Sequence, residues 1–290
     1  MTAKILSAAP VVEKIKKELT ERCNVLKSKG ITPSMCVVLV GDNPASLSYI
    51  KNKKRMCEEV GAKFRLVHLP SNIFPNEFLD RIQQLNSDPS IHGIIIQLPV
   101  PDQLKSLDLS NLIDPFKDID GFHGLNTQKL YSGTKDLTEL LPCTPKGIVN
   151  LLRFYDIDLK GKNIVISGRS LIVGKPLSML LSNFDATVTL THSQTKNLKD
   201  YTKRADILIA AIGKANYFNR SFFNPEMKTI VVDVGINSLG GNLTGDVDLE
   251  DVKEVVGGIT PVPGGVGPMT VISLIENLIS ATDKKIKENP

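Results

Sequence analysis

Apolar positions at Val11, Ile15, Leu19, Cys23 and Leu26 recur every three or four residues. That is the spacing of one face of an α-helix, and the run stops at Gly30, a residue suited to a helix C-cap. Residues 35–40 are continuously apolar, as suits a strand buried on both faces of a parallel sheet. A helix is expected after Pro44, with Tyr49 and Lys53 one turn apart on one face. Residues 64–69 read as the next strand, Phe78, Ile82 and Leu85 as a further helix face, and 91–98 as a nearly unbroken apolar strand. Strands alternating with helices predict a parallel α/β sheet.

Between Pro99 and Pro145 the pattern dissolves into turn-rich segments, and a domain connection is expected there. A helix is expected over 145–155, with Pro145 in its first turn. A second alternating series follows: strands over 163–167, 187–190, 207–212 and 229–234, and a helix beginning near Pro176. An apolar helix is expected over 270–279. The fold class is α/β in two domains: an N-terminal substrate domain, 1–145, and a C-terminal Rossmann-like nucleotide domain, 146–270. The last helix, 271–290, is expected to return to the first domain.

A length of 290 residues suits two domains. The 35 basic and 31 acidic residues leave a net charge of +4, too weak and scattered to indicate a nucleic-acid partner. No uncharged apolar stretch approaches the ~20 residues of a membrane span, and the first residues do not read as a secretory signal. A cytoplasmic protein is therefore expected. Cys23, Cys36, Cys57 and Cys143 form no CxxC pair, so a zinc site is not indicated and buried, reduced thiols are expected.

The segment from Ile164 to Pro176 reads strand, glycine turn, helix. Five residues separate Gly168 from Gly174, and Pro176 stands where a phosphate-binding P-loop needs a hydroxyl, so an ATPase is rejected. A Rossmann-like turn fits better, since glycines after a strand let a phosphate approach backbone N–H groups at a helix start. On the loop alone, a tight βα turn without a ligand explains it equally well. The following strand ends at His192 and Ser193 with no acidic residue for ribose hydroxyls. Arg169, His192, Ser193 and Lys196 could instead surround a 2′-phosphate, favouring NADP over NAD; a solvated basic loop is the other reading.

Tyr49 and Lys53 form a Y-x-x-x-K pair, but the nucleotide candidate lies far downstream of it, the reverse of the order in short-chain dehydrogenases. Alone, such a pair is most often a surface feature. Gln97 ends a buried strand, where ligands gather in α/β folds, and Asp120 lies in a polar loop.

The segments VGDNPASLSYIKNKKRMCEEVG (40–61), IIIQLPVP (94–101), PFKDIDGFHGLN (115–126), PCTPKGIVNLL (142–152), GRSLIVGKP (168–176), DVGIN (233–237), GDVD (245–248) and ITPVPGGVGPMT (259–270) span nearly the whole chain. Together they resemble the bifunctional methylenetetrahydrofolate dehydrogenase/methenyltetrahydrofolate cyclohydrolase family. The resemblance implies NADP-dependent oxidation of 5,10-methylenetetrahydrofolate, then hydrolysis to 10-formyltetrahydrofolate, in one-carbon metabolism that serves purine biosynthesis. It implies a folate in a cleft between the domains, a homodimer and no metal. Lys53 resembles the family's proton-transfer lysine, Gln97 the residue that orients it, Tyr49 the ring that stacks on folate, and Asp120 the carboxylate that anchors the pterin. Leu98, Pro99, Gly267 and Pro268 resemble the walls of that site, and Gly168, Arg169, Ser170, Ser193 and Ile236 match cofactor positions, with His192 beside them. One departure is Gly124, where the family usually has Pro; a looser loop is expected there.

Overall fold

The computed structural model describes residues 2–288. The chain divides into two compact units. Unit 1 comprises the residues up to Glu13, Leu130–Lys135 and Thr144–Thr270; unit 2 comprises Lys14–Lys129, Asp136–Cys143 and the chain from Val271 onward.

Unit 2 is built on three parallel strands, β2 (Ser34–Val40), β3 (Lys63–Leu69) and β4 (Gly93–Ile96), in the order β3-β2-β4. Every residue of β2 is buried, which explains its unbroken apolar run: it is the central strand, covered on both faces. Helices α1 (Ala9–Ser28), α2 (Pro44–Glu59) and α3 (Pro75–Ser87) connect or precede these strands, and α4 (Gly124–Tyr131) follows them. Phe78, Ile82 and Leu85 of α3 join Val38, Val40, Ile94 and Ile96 in one core. Because β2 lies between β3 and β4, the chain leaves β2 in one direction and returns to its other side. The carboxyl ends of β2 and β4 therefore flank a switch point, where α/β sheets hold ligands.

Unit 1 carries six parallel strands in the order β1-β11-β8-β7-β5-β6. They are β1 (Lys4–Ile5), β5 (Asn163–Ser167), β6 (Thr187–Thr191), β7 (Ile207–Ala210), β8 (Ile230–Asp233) and β11 (Gly258–Ile259). From β6 to β11 this is the 2-1-3-4-5 order of a doubly wound sheet, with its switch point between β5 and β7. Helices α5 (Cys143–Phe154), α6 (Gly174–Asn183), α7 (Leu198–Thr202) and α8 (Leu249–Val252) complete the unit with the start of α9 (Val266–Glu288). A two-stranded hairpin, β9 (Asn237–Leu239) and β10 (Asn242–Thr244), turns on Gly240 and Gly241, both at positive φ. Such a two-residue turn needs that geometry.

The turn-rich stretch between 99 and 145, where a domain connection was expected, contains α4 and two 3-10 turns. The strand expected over 91–98 is shorter, Gly93–Ile96; Gln97 N–H makes a last bond to the Val38 carbonyl at 2.9 Å before the chain turns away at Leu98. All four cysteines are buried and none forms a disulfide. Among the described residues no helix is long and apolar enough to cross a membrane.

Candidate functional site

In unit 2 the chain leaves β2 through Gly41 and enters α2 by a firm cap. Asn43 Oδ1 accepts from the N–H groups of Ala45 (3.0 Å) and Ser46 (3.1 Å), while Pro44 occupies the first turn. This cap fixes the start of the helix that carries Tyr49 and Lys53. Lys53 Nζ donates to Gln97 Oε1 at 3.0 Å. Gln97 is itself buried and donates through Nε2 to the Leu98 carbonyl at 2.9 Å. That carbonyl also accepts from Ser46 Oγ at 3.3 Å. An amide has one donor end and one acceptor end. With the donor end committed to Leu98, the oxygen is the end that faces the lysine. The Leu98–Pro99 peptide is cis, and Leu98, Pro99 and Tyr49 are exposed beside this chain of contacts.

Asp120 sits in a loop organised by a residue that the motif reading passed over. Asp118 is 2% exposed; its Oδ1 accepts from Gly121 N–H (3.0 Å), and its Oδ2 from His123 N–H (2.7 Å) and Asn126 Nδ2 (3.0 Å). Gly121 is at φ +80°, and a Cβ there would lie 2.5 Å from the Leu141 carbonyl oxygen, so only glycine fits. On α9, Asn277 Nδ2 ties the carbonyls of Ile119 (2.9 Å) and Leu141 (2.8 Å) together. Asp120 is densely surrounded by protein yet keeps part of its surface open. Burial pushes its carboxyl up, against the pull of the Lys53 charge and a hydrogen bond from the Cys143 thiol. Lys53, Gln97 and Asp120 thus form one interacting group, with Tyr49 a helical turn from Lys53.

Where a looser loop was expected at Gly124, its N–H donates to Asn111 Oδ1 at 2.9 Å, a bond that proline cannot make.

In unit 1 the loop after β5 is at the switch point. Gly168 has φ +124°, and a Cβ on it would lie 2.0 Å from the Ala211 carbonyl oxygen, in the loop after β7. A Cβ on Gly174 would lie 1.9 Å from the Gly168 carbonyl oxygen. Both glycines are therefore required by close backbone approach. Ser170 Oγ accepts from Val173 N–H at 3.2 Å and holds the entry to α6, leaving Arg169 exposed beside it. After β6, His192 N–H donates to Thr195 Oγ1 at 2.9 Å, which folds the 192–195 turn and leaves Ser193 exposed. Ile236 is half exposed just beyond β8. Bare backbone after a strand, an α6 N-terminus and a basic side chain without an acidic competitor fit a dinucleotide carrying a 2′-phosphate. Gly267 and Pro268 occupy the exposed first turn of α9, in this same unit.

Asp233 and Asp246, both buried, stand behind the loops after β7 and β8 and were quoted in the sequence only as parts of motifs. The hairpin after Ile236 was legible in Gly240-Gly241, a two-residue turn signal between short polar and apolar runs. Among the described residues no group of three or more His, Cys, Asp or Glu is placed to hold a metal.

Residues 6–120 match the tetrahydrofolate dehydrogenase/cyclohydrolase catalytic domain, and 142–286 match the NAD(P)-binding domain of the same family. The chain is 48% identical over 280 residues to the bifunctional protein FolD of Oceanobacillus iheyensis, covering 96% of each. It is 44% identical over 287 residues to that of Bacillus subtilis, covering 99% of this chain and all of the other. The crystal structure of the FolD methylenetetrahydrofolate dehydrogenase/cyclohydrolase from Campylobacter jejuni superposes with a TM-score of 0.93 at 46% identity, covering 98% of this chain and 99% of that one. The Trypanosoma brucei enzyme, solved with NADP and an inhibitor, gives 0.91 at 30% identity, covering 99% of each.

Proposed function

This chain belongs to the tetrahydrofolate dehydrogenase/cyclohydrolase family, and on that premise we propose that it oxidises 5,10-methylenetetrahydrofolate with NADP and hydrolyses the methenyl product to 10-formyltetrahydrofolate. The observation that carries the reading is the contact chain from Lys53 through Gln97 to Leu98 at the carboxyl end of β4. It holds an amine in a fixed direction where an α/β sheet places its ligand.

In the first reaction a hydride leaves the one-carbon bridge, and NADP supplies the acceptor. The remaining cation is shared between two substrate nitrogens, so the protein's task is alignment. Asp120 suits the ring N–H and amino donors of a pterin; such a charge-assisted contact contributes about 1.5–3 kcal/mol. Tyr49 offers an exposed ring face to an aromatic ligand, with Leu98 and Pro99 as apolar wall. Gly267 and Pro268, which lie in unit 1, are assigned to folate binding on the family pattern alone.

In the second reaction water adds to the cationic carbon. The adding water loses both of its protons in turn as its oxygen becomes the formyl oxygen; the carbon–N5 bond breaks, N5 takes up one proton, and the other is released. Lys53 is assigned the proton transfer and Gln97 its orientation. A lysine amine within reach of a cationic substrate carbon is a competent base once its proton is lost.

Unit 2 is assigned the folate and unit 1 the nucleotide, which is held by Gly168, Arg169, Ser170, His192, Ser193 and Ile236. A homodimer in the cytoplasm is proposed on the family pattern, and light scattering of the purified chain tests the dimer. NADPH formation from 5,10-methylenetetrahydrofolate, and accelerated loss of added methenyltetrahydrofolate, test the two reactions. Lys53→Ala is expected to abolish hydration; hydration at the wild-type rate in that variant removes Lys53 from the role.

A further inference from the structure

Asp246 is fully buried, and its carboxylate collects donors from two separate loops. Oδ2 accepts from the backbone N–H groups of Ile212 (2.6 Å) and Gly213 (3.0 Å), and Oδ1 from that of Lys214 (2.8 Å). These three residues leave β7 at the switch point, directly after Ala211, the residue whose carbonyl crowds Gly168. Oδ1 also accepts from Asn237 Nδ2 at 3.0 Å, in the residue after Ile236. One side chain therefore ties the loop after β7 to the loop after β8.

Asp246 is itself held from behind. Its N–H donates to Asp233 Oδ1 at 2.9 Å, and Asp233 also accepts from Gly235 N–H (3.0 Å) and Val247 N–H (2.9 Å). There is no slack: a Cβ on Gly235 would lie 2.2 Å from Asp246 Oδ1, and one on Gly245 would lie 1.8 Å from Asp233 Oδ2. The donors that meet the two carboxylates are backbone amides and one asparagine amide. Two adjacent buried acids are an expensive way to fill a core. They are, however, an effective way to fix backbone N–H groups, because an ionised carboxylate accepts at both oxygens and donates at neither.

We propose that Asp246 is a positioning residue for the dehydrogenase reaction, holding residues 212–214 and 236–237 in the conformation that receives NADP, with Asp233 fixing Asp246. The proposal rests on the assignment of unit 1 to the nucleotide.

Asp246→Asn keeps the volume but turns one end of the group into a donor that faces a backbone N–H. NADPH binding, followed by cofactor fluorescence, is expected to weaken at least tenfold. KM for NADP is expected to rise with it and kcat to fall, because a displaced loop misaligns donor and acceptor. Hydrolysis of added methenyltetrahydrofolate, assigned to residues of unit 2, is expected to stay within twofold of wild type. Asn237→Ala removes one tie only and is expected to raise the NADP KM about threefold without loss of folded protein.

NADPH affinity unchanged in both folded variants overturns the proposal, as does an equal fall in the two activities, which marks a purely structural role. A wild-type chain that binds no NADPH overturns the nucleotide assignment and this inference together. Wild-type binding that Asp246→Asn leaves intact overturns this inference alone.

Discussion

Asp118→Asn probes how the folate side is held. The substitution is isosteric, so its effect is confined to hydrogen bonding. Oδ2 serves two donors, His123 N–H and Asn126 Nδ2, and Oδ1 serves one, Gly121 N–H. The best placement of the new amide puts its oxygen at the Oδ2 position and its NH2 against Gly121 N–H. One bond to a charged acceptor is lost, about 1.5–3 kcal/mol, and the two that remain weaken to neutral bonds of about 1 kcal/mol each. Burial already pushes the Asp118 carboxyl up, which offsets part of the loss, because a neutral amide is easier to bury. The net is about 2–4 kcal/mol against the present loop. If the loop relaxes to another conformation, folate affinity falls by the fraction of loop still competent, about 30-fold to about 1,000-fold. The assay is the dissociation constant for 5,10-methylenetetrahydrofolate, with NADPH affinity as the control in the other unit. A folded variant with folate affinity within twofold of wild type refutes the reasoning, and so does an equal loss of NADPH affinity.

Three further outcomes are expected. Arg169→Ala lowers the preference for NADP over NAD by about tenfold or more, since a charge-assisted phosphate contact is worth about 1.5–3 kcal/mol; the ratio of kcat/KM for the two nucleotides checks it. Burial, with Asp246 adding to it, pushes Asp233 from 3.8 up to about 6, and burial, with Lys285 and Lys117 adding, pushes His92 from 6.5 down to about 4. Between about pH 6 and 4 folded unit 1 therefore keeps a proton that the unfolded chain releases, and it gains stability as pH falls through that window. Over about pH 6.5 to 4 the unfolded chain binds a proton at His92 that the folded chain refuses, so the His92 contribution to stability falls on the same acidification, while the raised carboxyls of Asp118 and Asp120 in unit 2 act in the opposite sense. Hydrogen exchange read from pH 7 to 5 is expected to show wild-type minus variant slopes of opposite sign for Asp233→Asn and His92→Gln, and slopes of the same sign contradict this. Burial pushes the thiols of Cys36 and Cys57 up to about 11 and about 12, so neither reacts measurably with iodoacetamide at pH 8 until the chain unfolds; fast labelling of either in the native protein contradicts this.

Elements with a long apolar signal were legible in the sequence. The run 35–40 is buried at every position, and the helix of Phe78, Ile82 and Leu85 turns those residues into one core. Short elements were not, because β1 and β11 have two residues each and exist only through pairing with distant strands. Lys53, Gln97 and Asp120 stood out in the sequence because they lie in dense motifs, and in the structure Lys53 bonds to Gln97 and its charge acts on Asp120. The residues that shape the loops did not stand out. Asp118 and Asp246 look like any surface acid in a polar segment, and their role appears only when the backbone N–H groups around them are counted. The bond from Gly124 to Asn111 was not legible for the same reason, because its partner lies thirteen residues away.

The two units are not consecutive in the chain, which passes from one to the other five times, after Glu13, Lys129, Lys135, Cys143 and Thr270. No single cut in the gene can therefore deliver both units whole. The alternation also sets an order of events during synthesis. Lys4 pairs with Gly258, so the first strand to leave the ribosome waits 254 residues (258 − 4) for its partner. Unit 2 waits longer still, for the chain beyond Val271. A complete N-terminal domain therefore does not form while the rest is still being made. Strands β2, β3 and β4 can pair once residue 96 has been made, but neither unit is complete until almost the whole message has been read.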